Sequence, residues 1–169
     1  MHGNATIHWR NGSIHPALLD KTADLFVVVD KDFGDEPWWR DVRAEGLAGA
    51  AENLDQRWRG YVTATAPSGE LIGFGAMSEP VEGSVELSRV MVHPDWRRQG
   101  IGAALLRALV DAAITEGLQP WVDVLETSKG AIDLYTQVGF ETVSYQYGRD
   151  SGRLARQMRY KVIQLHPHR

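Results

Sequence analysis

Cysteine is absent from the 169 residues. Disulfides, thiolate metal sites and a cysteine nucleophile are therefore excluded together. A long uncharged apolar run is also missing: the best stretch, Ile101 to Ile114, is broken by Arg107 and Asp111. No membrane span is expected from it. The first residues, Met-His-Gly-Asn, lack the basic and apolar parts of a secretion leader. A cytoplasmic setting is the expectation. Positive charge is not in excess, since 18 Lys and Arg face 22 Asp and Glu for a net charge of −4. A nucleic acid is thus a poor default partner. The six histidines never form a His-x-x-x-His pair, and two of them, His166 and His168, sit in the tail. No metal site is expected. Internal repeats and low-complexity segments are lacking too. What remains is the composition of an ordinary globular protein, 43% apolar and 24% charged, of a length that suits one domain over residues 1–169.

Periodicity gives the order of elements. Ala5 to Arg10 suits a short strand. Leu18, Leu19, Leu25, Phe26 and Val29 form a helical stripe between Pro16 and Asp30. Asp35, Glu36 and Pro37 make a helix start, and a second helix is expected from Trp38 to about Glu52. From Tyr61 to Val92, "YVTATA", "LIGFGAM" and "VELSRVMV" are separated by the turns "PSGE" and "EPVEGS". They read as three antiparallel strands. "GIGAALLRALVDAAITEG" is the strongest helix pattern, followed by a strand at "PWVDVLE", a helix at "KGAIDLYTQVG", and two strands at "ETVSYQY" and "RLARQMRYKV". The piece from Ser84 to Glu126 should be a right-handed parallel crossover between hairpins. The fold class is therefore α/β in the sense of an α+β mixed sheet, with about six to seven strands and about four flanking helices.

The turn "RRQGIG", residues 97 to 102, opens the strongest helix. A helix start carries unpaired N–H groups and partial positive charge, which suits an anion. Gly100 and Gly102 let a bulky group approach the peptide, and Arg97 and Arg98 add donors. A diphosphate is one reading; glycines that merely let the helix pack close to the sheet are the other. A P-loop is excluded by the missing Gly-Lys-Ser/Thr, and a dinucleotide fingerprint by Leu105 at its third glycine position. The pattern that fits is Arg/Gln-x-x-Gly-x-Gly/Ala.

On these residues the sequence resembles the GNAT superfamily of N-acetyltransferases. "VMVHPDWRRQGIGAALL" is similar to that family's acyl-coenzyme A loop, and "AIDLYTQVGF" to its second signature; the two span roughly residues 84 to 141. The resemblance implies acetyl-CoA as co-substrate. Its diphosphate would rest on Arg97, Arg98, Gln99, Gly100, Ile101, Gly102 and Ala103, and its pantetheine arm would run along Val90, Met91 and Val92. Ser128 stands where the family often has asparagine. The implied activity is acetyl transfer from acetyl-CoA to a primary amine of a small molecule or protein, directly in a ternary complex, by a monomer or homodimer.

Such chemistry must remove a proton from an amine whose pKa is about 10.4, so that only about 1 in 2,500 is neutral at pH 7, a penalty of roughly 4–5 kcal/mol. Glu86, eleven residues before Arg97, is the candidate base, where family members with a glutamate base place it. A glutamate facing solvent is the alternative. Alternation puts Glu86, Ser88, Val90 and Val92 on one face and Leu87, Arg89 and Met91 on the other. Tyr135 is the candidate acid for the leaving thiolate, or else a core tyrosine. The amide near Val92 could receive the oxyanion. Asp30 to Trp39, with four carboxylates and three aromatics, could receive a cation or simply cap a helix. Gly73 and Gly75 could mark close approach of a ligand or of another backbone. "SYQY" could line the cleft or a dimer contact. A non-catalytic module that senses acyl-CoA or a nucleotide is the competing function, and a dinucleotide-binding fragment a weaker one.

Overall fold

The computed structural model describes residues 4–30, 45–147 and 152–162. A seven-stranded sheet runs through it in the order β1-β2-β3-β4-β5-β7-β6. The strands are β1 (Thr6–Asn11), β2 (Trp58–Thr65), β3 (Leu71–Ser78), β4 (Ser84–Val92), β5 (Gln119–Leu125), β6 (Phe140–Tyr147) and β7 (Leu154–Tyr160). Among the described residues the main helices are α1 (Pro16–Asp30), α2 (Leu47–Leu54), α3 (Ile101–Thr115) and α4 (Lys129–Val138). All neighbours pair antiparallel except β4 and β5, which are joined by the α3 crossover and run parallel. The mixed sheet and the expected crossover are thus observed.

Each helix forms where its apolar stripe can cover the sheet. Pro16 at the first position of α1 has no N–H to leave unpaired, and Phe26 and Val29 are fully buried beneath it. Together with Leu54 of α2 they meet Trp58, Tyr61, Phe74 and Met91 on one face of the sheet. On the other face Ile101, Leu105, Leu106 and Leu109 of α3 bury against Val62, Met77, Val85, Leu87 and Val122. Gly73 and Gly75 belong to this packing. A Cβ on either would stand 2.9 Å from a leucine methyl, of Leu105 and Leu109 respectively. Their closest neighbours are thus leucines of α3, while a Cβ on Gly73 would also stand 3.0 Å from Ala64 and 3.3 Å from the Met91 backbone carbonyl. The second helix was expected to end near Glu52 and ends at Leu54. Its expected start at Asp35–Pro37, and the acidic aromatic stretch to Trp39, lie outside the described residues.

Two departures from a regular sheet shape the centre. The first lies between β4 and β5. Their register holds for Ser84↔Gln119, Val85↔Pro120 and Glu86↔Trp121, and then stops. Beyond Glu86 the strands part, and the far half of β4 has an open edge. The second is a bulge: Phe74 pairs with Met91 but Ala76 with Ser88, so Gly75 alone faces both Arg89 and Val90. Arg89 takes a φ of 54° to make room, a conformation that side-chain-bearing residues adopt at a cost.

The bulge corrects the face assignment. Ser88 lies opposite Ala76, on the side of α1 and α2, while Leu87 lies opposite Met77, on the side of α3. The extra residue then reverses the parity. Val90 and Val92 join Val85 and Leu87 on the α3 side, and Met91 packs with Phe74 on the α1 side. Glu86, Ser88, Arg89 and Met91 therefore share one face. Strict alternation had put Val90 and Val92 with Glu86, and failed because the added residue turns every later side chain over.

Candidate active site

The parted strands leave a groove of about 840 Å³. Its walls are the α3 side of β4 at Val90 and Val92, the turn into α3 at Arg97, Arg98, Gly100, Ile101, Gly102 and Ala103, and α4 with the loop before it at Ser128 and Tyr135. Of the residues expected to meet a cofactor, only Met91 and Gln99 are outside its lining. Met91 is 1% exposed and turned to the opposite core by the bulge. Glu86 is not part of the lining either; it stands at the last rung before the parting.

The turn at residues 97–102 is built to expose backbone donors. Arg98 and Gly100 both have left-handed φ, 63° and 78°, and Gly100 caps α3 with no side-chain bond. Alternating left-handed residues before a helix turn successive N–H groups toward one hollow. Among the described residues no hydrogen bond takes up the amides from Arg98 to Ala103; the first helical amide with a partner is Ala104, bonded to the Gly100 carbonyl at 3.0 Å. Gly102 is the close-approach point. A Cβ there would lie 3.3 Å from Leu134 and 3.7 Å from Val92, across the narrow part of the groove. Free amides, helix polarity and two arginines in one hollow fit a diphosphate.

The open edge of β4 supplies the next polar groups. The His93 N–H donates to the Ile72 carbonyl at 2.7 Å. By antiparallel alternation Val92 directs its own N–H and carbonyl the other way, into the parting. Its carbonyl accepts from Arg97 Nε at 3.2 Å, which ties the turn to the strand. Ser128 sits at the start of α4, and its hydroxyl makes no capping bond.

Two titratable groups flank the parting, Glu86 at its last rung and Tyr135 in the wall of the groove. Burial pushes the Glu86 carboxyl above the ordinary range; Arg89 opposes the rise and Asp123 adds to it. Burial first, and the Glu86 charge second, raise the Tyr135 phenol to about 12. The residue is half-buried and lines the groove. Tyr135 also leans on Phe140, with centroids 5.8 Å apart, so it is both a packing residue and a wall of the groove. Asp123 was not singled out in the sequence, nor was Arg89. Asp123 alternates with Val122 and Val124, so an acidic residue inside an otherwise apolar strand was the signal available. Asp123 is exposed on the sheet surface, and partial loss of hydration there raises its carboxyl as well.

Comparison with known proteins agrees with this geometry. Residues 22–140 match the Acetyltransferase (GNAT) family. The chain belongs to that family. It is 30% identical over 151 residues to the L-methionine sulfoximine/L-methionine sulfone acetyltransferase of Pseudomonas aeruginosa, covering 83% of this chain and 80% of that one. Its fold is similar to the ribosomal-protein-S18-alanine N-acetyltransferase of Escherichia coli, with a TM-score of 0.67, 21% identity and coverage of 95% and 99%. It is also similar to a presumed streptothricin acetyltransferase of Bacillus anthracis solved with acetyl coenzyme A, at a TM-score of 0.57, 16% identity and 66% of each chain. This GNAT chain is an acyl-CoA-dependent N-acetyltransferase that takes acetyl-CoA as co-substrate and an amine as acceptor. A sensor without chemistry is not favoured. Among the described residues, no helix is long and apolar enough to cross a membrane.

Proposed function

We propose that the diphosphate of acetyl-CoA rests on the amides of Arg98 to Ala103 beside Arg97, that the pantetheine arm follows the open edge of β4 at Val90 and Val92, and that Ser128 and Tyr135 close the opposite wall. This leads the thioester to the parting, where Glu86 and Tyr135 act on it from either side. Glu86, ionised, takes a proton from the incoming ammonium, directly or through one water. The neutral nitrogen then bonds to the acetyl carbon while the Val92 N–H faces the oxygen that gains charge. The carbon–sulfur bond breaks, and Tyr135 passes its proton to the departing sulfur. As the bond breaks the nitrogen sheds its second proton, through water, to the Tyr135 phenolate and becomes a neutral amide; Glu86 releases the ammonium proton to solvent, so both residues are restored and one proton is lost overall. Without cysteine no thiol acyl-enzyme intervenes, and transfer is direct in a ternary complex.

The observation that carries this reading is the groove itself: it begins at the glycine-arginine turn into α3 and has Val90, Val92, Ser128 and Tyr135 in its walls, with Glu86 on the last rung before the strands part. The acceptor is a primary amine of a small molecule or a protein. L-Methionine sulfone, the acceptor of the Pseudomonas relative, and an N-terminal alanine peptide are the first two to test. A cytoplasmic setting is part of the proposal, consistent with a cysteine-free chain. Thiol release from acetyl-CoA, followed for wild type and Glu86→Gln, tests the assignment. Glu86→Gln should lower kcat by about 10²–10⁴-fold, the range for a lost general base, with coenzyme A affinity kept. Unchanged turnover removes Glu86 from the mechanism.

A further inference from the structure

Arg89 has no place in the reaction just described, yet the chain spends a strained residue on it. It is the bulged residue of β4, with a φ of 54°, and its side chain is held from several directions. Its Nε donates to Asn53 Oδ1 of α2 at 3.1 Å. Its Nη1 donates to Ser88 Oγ at 3.1 Å. Its guanidinium lies 5.3 Å over the buried Trp58 ring. Ser88 and Glu86 are alternate residues of one strand face, so the cation fixed against Ser88 lies on the same face of β4 as the Glu86 carboxylate. Each group responds to the other: Arg89 lowers Glu86 against the effect of burial, and Glu86 raises Arg89 against the same effect.

We propose that Arg89 is a positioning residue for Glu86: clamped at the bulge by Asn53, Ser88 and Trp58, it holds the carboxylate as an anion facing the parted strands and ties that anion to helix α2.

Among the described residues, the other charges around Glu86 define what Arg89 works against. On β5, Asp123 repels it. On α4, Tyr135 lines the groove as a neutral phenol whose pKa the Glu86 charge helps to raise. The cross-strand row Glu86–Trp121–Arg159–Glu141 continues on β7 and β6 with one cation and one anion, the nearer of the two separated from Glu86 by the indole. Helix α2 contributes the neutral Asn53. Arg89 is therefore the cation whose removal should be felt most, and Asp123 the anion. Substitutions at the two should move Glu86 in opposite directions. A merely structural role for Arg89 predicts no such opposition.

The inference rests on Glu86 as base for its meaning in catalysis, but its test does not require turnover. Carbon-13 NMR titration of the side-chain carboxyl carbons in the glutamate-labelled full chain follows Glu86 directly, its resonance identified by its loss in Glu86→Gln. In Arg89→Met, Glu86 should ionise at higher pH than in wild type, with the ionised fraction at the wild-type midpoint cut by roughly threefold or more. Arg89→Lys should restore most of it. Asp123→Asn should shift the curve to lower pH, and Asn53→Ala should shift it partway toward Arg89→Met. Should methionine prevent folding, Arg89→Gln gives the same readout. Superimposed Glu86 curves for wild type and the charge-removing variant overturn the inference, as does a shift of the same sign in Arg89→Met and Asp123→Asn. Full activity of Glu86→Gln would instead refute the base assignment and leave the titration result standing.

Discussion

Glu86 stands opposite Trp121 on the last rung that joins β4 to β5. The pairing of β4 with β5 ends there, and the groove, the open edge of β4 and the half-buried carboxylate all follow from that ending. A carboxylate at such a position is held out of water by the strands beneath it and the indole beside it, at a cost in stability.

That cost is measurable. Burial raises the Glu86 carboxyl above its ordinary value. Between the unfolded and folded values the native chain holds the extra proton, so stability falls as pH rises through that window. Above it the ionised carboxylate bears its full cost. Glu86→Gln should therefore raise Tm near pH 8. Near pH 4 the difference should shrink. Calorimetric melting at both pH values checks this, and a lower Tm for the variant at the higher pH contradicts it.

Tyr135, raised to about 12, stays protonated across any practicable assay. The acid for the departing sulfur is then present throughout, and the pH profile of kcat should have no alkaline limb from this residue. Tyr135→Phe should lower kcat by about 10²-fold, the lower end for a lost general acid, while packing on Phe140 keeps Tm within a few degrees. Steady-state kinetics against pH, with and without the hydroxyl, decide it.

The α3 packing makes a separate prediction. Leu109 is fully buried, and a Cβ on Gly75 would press on its methyl at 2.9 Å. Leu109→Ala should cost about 2–5 kcal/mol, and Gly75→Ala should also destabilise. In the double variant the new methyl partly fills the space left by the leucine, so the two losses should sum to more than the observed one. A double-mutant cycle in urea measures the coupling; strict additivity would show that the two sites do not share this space.

Most of the fold was legible because its signals are local. Pro16 and the stripe through Phe26 and Val29 mark α1, and the glycine-arginine turn before an unbroken apolar helix marks the start of α3. The faces of β4 were not legible. Which side Val90 and Val92 occupy depends on the bulge at Arg89, and a bulge is a property of two strands: Gly75 must face two residues at once. One strand's alternation carries no trace of that. Arg89 and Asp123 escaped notice for a related reason, since their meaning comes from standing beside Glu86, three and thirty-seven residues away in sequence.

The central claim is that free amides at the α3 start, left accessible by Gly102, hold the coenzyme diphosphate. Isothermal titration of coenzyme A into wild type and Gly102→Val tests it most directly. The account predicts clear binding to wild type and at least about tenfold weaker binding to the variant, whose first added carbon would already stand 3.3 Å from Leu134 and whose further bulk narrows the groove. Equal affinity for the two proteins, or no heat from wild type, would contradict it.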